Sequence, residues 1–319
     1  MKPQRLCIFG GTGFVGRRLC AHLAGDGHQI TVPTRNMEST REMSVLPQVR
    51  RVSCDVHDAE ASEAVIAGHD VVINLVGILN ERGHQGGAGF DKAHAQLTAN
   101  LVAACEKTGV TRFLQMSSLK ASEDAPSNYL KTKAKAEISV RESKGLNWTI
   151  FQPSVIFGLE DSFTNRFASL MKFGFLPLAR PNARFSPVYV DDVVEAFVQS
   201  VDKASTYGQT LQLCGPKVYS LRELVDYIRS CTGARGFTMG LPDSLARLQA
   251  RILEWLPGKP FSMDNYRSLT VNSICEVSGL KTLGIKPKSL ESIAPSYLSG
   301  EQKNARLSVY RRTAGRNPS

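Results

Sequence analysis

Tyr129 and Lys133 lie four positions apart in the sequence, and both residue types can move a proton. On a helix this spacing places the phenol and the ammonium on one face. A neighbouring ammonium favours the tyrosinate, so the pair predicts a lowered Tyr129 pKa and a phenol that exchanges a proton near neutral pH. The lysine can also hold a sugar hydroxyl of a bound cofactor, and the alternative for Tyr129 is a binding role without chemistry.

A glycine-rich segment near the N-terminus has the spacing of a phosphate-binding loop. It directly follows a short apolar run, Leu6 to Phe9, and opens a helical pattern. Glycines here let the backbone turn tightly and approach a pyrophosphate, and the helix N-terminus favours the phosphate charge. We therefore predict a dinucleotide site, the alternative being a glycine-rich turn without a ligand. The predicted residues are Gly10, Thr12, Gly13, Phe14, Val15 and Gly16.

The residues after the second apolar run bear on which dinucleotide is bound. NAD-selective sites place an Asp or Glu here to bind the ribose 2′-hydroxyl, whereas this sequence reads Thr34-Arg35-Asn36. Arg35 could pair with a 2′-phosphate and stack on the adenine. The sequence therefore favours NADP(H) over NAD(H), and the alternative is that Arg35 is a solvated loop residue.

Two later segments are expected to complete the cofactor site. Asp55 and Val56 follow the third apolar run and are placed to meet the adenine ring. Leu75, Val76 and Gly77 follow the fourth run, at the carboxyl end of the expected sheet, where cofactors bind.

Short apolar runs alternate with amphipathic helical patterns through the first half of the chain. The runs lie at 6–9, 30–32, 49–52, 71–75, 113–116 and 149–151. This alternation predicts an α/β fold with a Rossmann-type, doubly wound parallel sheet. We expect a dinucleotide-binding domain at 1–153, whose sheet later strands could extend. We also expect a smaller C-terminal lobe for substrate or partner at 154–300, and a disordered basic tail at 301–319.

Several of these motifs together resemble the extended and atypical short-chain dehydrogenase/reductase superfamily, which includes NAD-dependent epimerases and dehydratases. They are the glycine loop, Asp55-Val56, Tyr129 with Lys133, and Tyr189-Val190-Asp191-Asp192. The segment from Gln152 through Pro153 to Asp161, followed by Phe163 and Asn165-Arg166-Phe167-Ala168, is similar to a narrower family. That family comprises the NAD(P)H-binding accessory subunit of respiratory complex I and its stand-alone bacterial relatives. The likeness runs over roughly residues 4 to 298, and it implies a cofactor contact at Pro153.

The resemblance also implies where a catalytic hydroxyl should stand. After the fifth run the sequence reads Met116-Ser117-Ser118-Leu119, and the superfamily's hydroxyl position falls on Leu119. Ser118 is one residue early, and on a strand it would turn to the other face, although a shift of register at the end of the strand could restore its position. We therefore predict that the cofactor is held largely as a structural element, in a protein linked to complex I or quinone metabolism. The alternative is an active oxidoreductase or epimerase that uses Tyr129, Lys133 and Ser118.

Composition restricts the remaining function classes. The net charge of +10 favours anionic partners, but the basic residues are dispersed and lack interleaved aromatics, so nucleic acid is not expected. Neither the six histidines nor the seven scattered cysteines show metal-ligand spacing. Free thiols and the lack of a long apolar run predict a cytoplasmic protein without a membrane span.

A helical apolar stripe stands out in the C-terminal half. It runs from Leu241 to Trp255, with Arg247 and Arg251 on another face, and the tail after it is basic. Core packing, a protein partner and a membrane interface remain open for this stripe. The last possibility predicts peripheral contact with the inner face of the cytoplasmic membrane. The expected partners are thus a dinucleotide, a respiratory or quinone-biosynthesis complex, and the membrane surface.

Overall fold

The computed structural model describes residues 2–81, 86–256 and 259–299. The chain forms two compact units. The first contains the residues up to 153, then 191–213 and 275–285; the second contains 154–190, 214–274 and the chain from residue 286 onward. The tail at 301–319, for which disorder is predicted, lies outside the described residues.

The first unit is built on a seven-stranded, entirely parallel sheet. The strands are β1 Arg5–Phe9, β2 Gln29–Thr34, β3 Val49–Ser53, β4 Val71–Asn74, β5 Arg112–Met116, β6 Asn147–Pro153 and β11 Gln209–Leu213. Their order is β11-β6-β5-β4-β1-β2-β3. This confirms the predicted Rossmann-type fold. The direction of strand order reverses between β1 and β4, which is the crevice where such sheets bind ligands.

Helices flank this sheet and cover the faces of its apolar strands. They are α1 Phe14–Gly25, α2 Ala59–Ile66, α3 Ala88–Phe90, α4 Leu97–Thr108, α5 Asn128–Arg141, α7 Val190–Ser200 and α11 Gly279–Thr282. A π-helical stretch, Asp91–Gln96, joins α3 to α4, and 3₁₀ segments cover Glu38–Val45 and Ala204–Thr206. Every residue of β4 and β5 is buried, as expected for parallel strands covered on both faces. Phe9, Leu101 and Phe113 lie in the core between strands and helices.

The second unit contains three two-stranded sheets and its own core. Its strands are β7 Ile156–Phe157, β8 Phe175–Leu178, β9 Arg184–Phe185, β10 Val188–Tyr189, β12 Tyr219–Ser220 and β13 Phe237–Gly240. Its helices are α6 Ser162–Leu170, α8 Leu221–Thr232, α9 Asp243–Leu253, α10 Met263–Ser268, α12 Leu290–Ile293 and α13 Pro295–Leu298, with a 3₁₀ turn at Met171–Phe173. Phe157, Met171 and Ile228 are fully buried at its centre.

The cysteines depart in part from the sequence-based expectation. Cys7, Cys20, Cys54 and Cys105 are buried free thiols, and Cys231 is a half-buried free thiol. Cys214 and Cys275 are disulfide-bonded, so the expectation of free thiols is wrong at these two positions. Their positions in the sequence gave no spacing signal for a disulfide. No helix within the described ranges is long and apolar enough to cross a membrane.

Candidate dinucleotide-binding site

The glycine loop connects β1 to α1 and packs directly against the end of β4. Gly10 has a φ of +77°, and a Cβ there would lie 2.9 Å from the carbonyl carbon of Leu75. A Cβ on Gly16 would lie only 2.3 Å from the carbonyl oxygen of Gly10. Both positions therefore require glycine, the first for backbone conformation and the second for close packing of the helix on the loop.

The first turn of α1 faces outward from this loop with glycine as its N-cap. Gly13 is extended, has no side chain to cap the helix, and donates its N–H to the carbonyl of Gly10 at 3.0 Å. Arg17 secures the loop from the helix side, since its Nη1 donates to the Thr12 carbonyl at 2.8 Å. Phe14 and Val15 are half-buried in the first turn. This arrangement offers backbone N–H groups and a partial positive charge to a pyrophosphate.

The three predicted site residues that follow β2 and β3 differ in their exposure and contacts. Arg35 is exposed, and its side chain makes no hydrogen bond or ion pair within the described part of the chain. Asp55 is also exposed, with Oδ1 accepting the N–H of His57 at 3.1 Å. Val56 is 9% exposed and packs in the core. Arg35 and Asp55 are therefore free to meet a ligand, whereas the Val56 side chain is largely committed to packing.

The end of β4 approaches the lysine of α5. The Asn74 Oδ1 accepts the N–H of Val76 at 3.1 Å and fixes the turn that follows the strand. Leu75 and Val76 are half-buried and Gly77 is exposed. A Cβ on Gly77 would lie 3.1 Å from the Lys133 Nζ. The structure thus brings the segment after β4 together with Lys133.

Lys133 is an almost fully buried ammonium. Its side chain is 3% exposed, and Nζ donates to the carbonyls of Met116 at 3.2 Å and Val76 at 3.4 Å. Burial lowers its pKa to about 8, against the charge of Glu137, which raises it. Desolvation of a charge held by two long hydrogen bonds is costly, so this site is poised to accept a ligand that supplies better partners.

Tyr129 does not have the lowered pKa that the sequence predicts. Burial raises its pKa, and a hydrogen bond with Ser118 opposes that rise. Lys133 makes no contribution to the shift. The prediction is wrong because Lys133 directs its ammonium at backbone carbonyls of β5 and the β4 turn, so desolvation of the phenol dominates.

The structure also corrects the expected orientation of Ser118. Strand β5 ends at Met116, so the alternation of strand side chains does not reach Ser118. The hydroxyl of Ser117 donates to Glu137 on α5, and Ser118 is the residue hydrogen-bonded to Tyr129. Leu119 is buried, with its N–H donating to the Pro153 carbonyl at 3.0 Å. The hydroxyl beside Tyr129 is therefore that of Ser118, as the alternative register at the strand end allows.

Two buried polar residues at the site were missed from sequence. Glu137 is 2% exposed and accepts the Gln152 amide at 2.7 Å and the Arg141 guanidinium at 2.7 Å. His94 is 1% exposed, not a surface residue as expected, and its ring lies 5.5 Å from that of Tyr129. The i, i+4 spacing Tyr129-Lys133-Glu137 and the apolar periodicity running through His94 were the available signals.

His94 is held as a neutral imidazole. Its Nε2 accepts the N–H of Ile78 at 3.1 Å, and its Nδ1 lies 2.9 Å from the Thr132 hydroxyl. Burial, together with the charge of Lys133, lowers its pKa to about 2. No cluster of three or more potential metal ligands occurs among the described residues.

Comparison with known proteins agrees with this geometry. A family model described as NAD(P)H-binding matches residues 10–168. Subunit 9 of the NADH dehydrogenase [ubiquinone] 1 alpha subcomplex from Arabidopsis thaliana is 32% identical over 91% of this chain and 76% of its own length. The same subunit from Mus musculus is 30% identical over 89% of this chain and 77% of its own length. The structure titled MoeE5 in complex with UDP-glucose and NAD shares the fold, with a TM-score of 0.73, 16% identity, and coverage of 95% and 99% of the two chains.

These likenesses, found on a chain whose glycine loop and Lys133 both approach the segment after β4, establish that the protein belongs to the NAD(P)H-binding family of the complex I alpha subcomplex subunit 9.

Proposed function

We propose that this protein holds NADP(H) as a largely structural ligand and acts with a respiratory or quinone-biosynthesis complex at the cytoplasmic face of the membrane. The single observation that carries the proposal is the buried, poorly partnered ammonium of Lys133 beside the glycine loop and the β4 turn. The relatives of this protein are named as NADH dehydrogenase [ubiquinone] subunits. A nicotinamide ribose bound there would offer Lys133 hydroxyl acceptors in place of the two long carbonyl contacts.

The preference for NADP(H) rests on Arg35. This guanidinium stands after β2 with no protein partner among the described residues, so it can meet an added phosphate at no cost in broken ion pairs. A bidentate guanidinium–phosphate contact is among the stronger charge-assisted pairs. The three residues Thr34-Arg35-Asn36 provide no carboxylate for a ribose 2′-hydroxyl.

A structural role for the nucleotide fits the state of Tyr129. Its pKa is raised by burial, which is the wrong direction for a phenol that must lose a proton near neutral pH. A group whose charged form is disfavoured can still donate a hydrogen bond to a bound ligand.

The proposal can be tested by native mass spectrometry of the protein as purified, which shows whether a dinucleotide is retained and which one. We expect NADP(H) to be retained. In titrations, Arg35→Ala should weaken NADPH binding about tenfold or more and leave NADH binding unchanged, at about 1.5–3 kcal/mol for a charged contact. Arg50→Ala, at an exposed arginine on β3, is the matched control. Retention of NAD(H), or equal losses from both arginine variants, would contradict the proposal.

Rapid turnover is the second candidate function, and the Ser118–Tyr129 hydrogen bond favours it. In this mechanism Ser118 polarises the substrate oxygen, Tyr129 exchanges its proton, and Lys133 holds the ribose, while the dinucleotide supplies the hydride. Tyr129→Phe should then abolish steady-state NADPH oxidation while cofactor affinity changes by no more than about fivefold, since one hydrogen bond is worth about 1 kcal/mol. Activity that survives in Tyr129→Phe rules this mechanism out, and fast wild-type turnover with a defined quinone or sugar rules out a purely structural nucleotide.

A further inference from the structure

Helix α9 packs through its small residues and exposes its large ones. Ala246 and Ala250 are fully buried against Ala179 and Tyr266. Leu245, Leu248 and Ile252, by contrast, are each about half exposed, and Trp255 just beyond the helix is 76% exposed. Core packing is therefore wrong for Leu245, Leu248 and Ile252, which lie on the face opposite the alanines, whereas Leu241 at the start of the stripe packs against the buried alanines. A helix face of this kind costs hydration free energy unless something covers it.

The same apolar face continues onto the strand pair β8–β13. Gln249 lies between Leu245 and Ile252 on the helix surface, and its Nε2 donates to the Pro177 carbonyl of β8 at 3.2 Å. Pro177 pairs with Met239 of β13, which is exposed. Two residues earlier in each strand, the exposed rings of Phe175 and Phe237 lie 5.1 Å apart. We call this combined area the apolar surface: Phe175, Phe237, Met239, Leu245, Leu248, Ile252 and Trp255.

Positive charge borders the apolar surface. Lys172 and Arg235 precede the two phenylalanines, and Arg251 lies one helical turn from both Leu248 and Trp255. The side chains of these three basic residues are exposed and make no ion pair among the described residues.

Two of the acidic residues nearby are already paired, and the third, Glu254, accepts the N–H of Met263 at 3.4 Å and is outnumbered by the three basic residues. Asp226 pairs with Arg229 at 3.7 Å, and Asp243 pairs with Arg247 at 2.8 Å. The border of the apolar surface is therefore net cationic.

We infer that the apolar surface docks on a bilayer containing anionic phospholipid. Aliphatic and aromatic side chains on one face, with unpaired Lys and Arg at its edge, are the composition of interfacial segments that insert into the headgroup region. Each cation near an anionic bilayer adds attraction, and an indole beside it suits the interface. This docking rests on the membrane location in the proposed function and deepens it, but it needs no nucleotide, so it can fail independently of NADP(H) retention.

Vesicle flotation of the full chain tests the inference, with phosphatidylcholine alone and with phosphatidylcholine mixed with phosphatidylglycerol. We expect binding to the mixed vesicles and little to the neutral ones. Ile252→Glu should weaken binding about tenfold or more, since inserting such a side chain is worth about 1.5–3 kcal/mol when complete. Arg251→Gln should weaken it about fivefold. Val277→Glu, at a 71%-exposed valine of the first unit, is the matched control and should bind as wild type.

Trp255 provides a direct readout. The chain has two tryptophans, Trp148 and Trp255, so Trp148→Phe leaves an emission that reports on the apolar surface. It should shift to the blue with anionic vesicles and be quenched by brominated lipid. The inference is overturned if the emission does not move, if Ile252→Glu floats as well as Val277→Glu, or if sedimentation shows the surface closed between two copies of the chain.

Discussion

Replacement of Gly16 by alanine tests whether the glycine loop and α1 are packed as closely as the structure shows. The new Cβ would lie 2.3 Å from the Gly10 carbonyl oxygen and 2.6 Å from the Gly11 Cα and carbonyl carbon. These are backbone atoms, so relief requires moving the loop or the helix. Overpacking costs about 1–3 kcal/mol, and a backbone clash belongs at the upper end, about 3 kcal/mol. For a unit of this size we expect Tm to fall by roughly 6–12 °C.

The same helix offers a matched control, because Gly25 is exposed at the end of α1 and a Cβ there meets no atom within 4 Å. Gly25→Ala should leave Tm unchanged or raise it slightly, by less than about 1 kcal/mol of stability. Thermal unfolding followed by circular dichroism measures both variants, and calorimetric titration with NADPH should show loss of binding only in Gly16→Ala. If the two variants melt within about 2 °C of each other, the close contact between loop and helix is wrong.

Three other variants probe the buried charges of the first unit. Lys133→Met should stabilise the nucleotide-free protein at pH 7 by about 1–3 kcal/mol. The wild type should gain stability as the pH rises from about 8, the pKa of Lys133 in the folded protein, to its ordinary pKa of 10.5, because the unfolded chain binds more protons in this range. Urea unfolding should show no such gain in the variant. Glu137→Gln should lower the Lys133 pKa below about 8, because the carboxylate raises it, and ¹³C NMR of labelled lysine measures the shift; an unchanged pKa would refute the coupling. Arg112→Leu should lower the free energy of unfolding by about 2–4 kcal/mol, because it removes the guanidinium that donates to the carbonyls of Ser200, Val201 and Asn147. Arg50→Leu is the exposed control, and equal urea midpoints for the two variants would show that these hydrogen bonds of Arg112 do not stabilise the fold.

The first unit was largely predictable because its strands are buried on both faces and its helices on one. Periodicity reports burial, so the runs that became β1 to β6 were visible, as was the glycine loop, whose spacing follows from close backbone contacts. The interleaving of the two units was not visible. The segments 191–213 and 275–285 return to the first unit, and strand β11 has the same local pattern as a strand of any other sheet.

The site was predictable in its residues but not in its electrostatics. A four-residue spacing correctly places Tyr129 and Lys133 on one helix, yet the pKa of each depends on what covers it, and Lys133 contacts carbonyls from β5 and the β4 turn. Counting residues from Met116 by the superfamily pattern likewise placed the expected catalytic hydroxyl at Leu119. The chain leaves strand geometry at Met116, and Ser117 is drawn to Glu137, so the hydroxyl beside Tyr129 belongs to Ser118.

If the nucleotide binds Lys133 as we propose, this buried residue would link the stability of the protein to the presence of its nucleotide. Without a ligand the ammonium has two carbonyl partners at 3.2 and 3.4 Å and a pKa lowered to about 8, so the folded state carries a desolvation cost. A ligand that binds only the folded chain adds about 2.7 kcal/mol when present at about one hundred times its Kd. Such a gain is comparable to the cost of the buried charge. A nucleotide that is never turned over would therefore still have a physical reason to be retained, because the ligand completes the hydrogen bonding of the fold around Lys133.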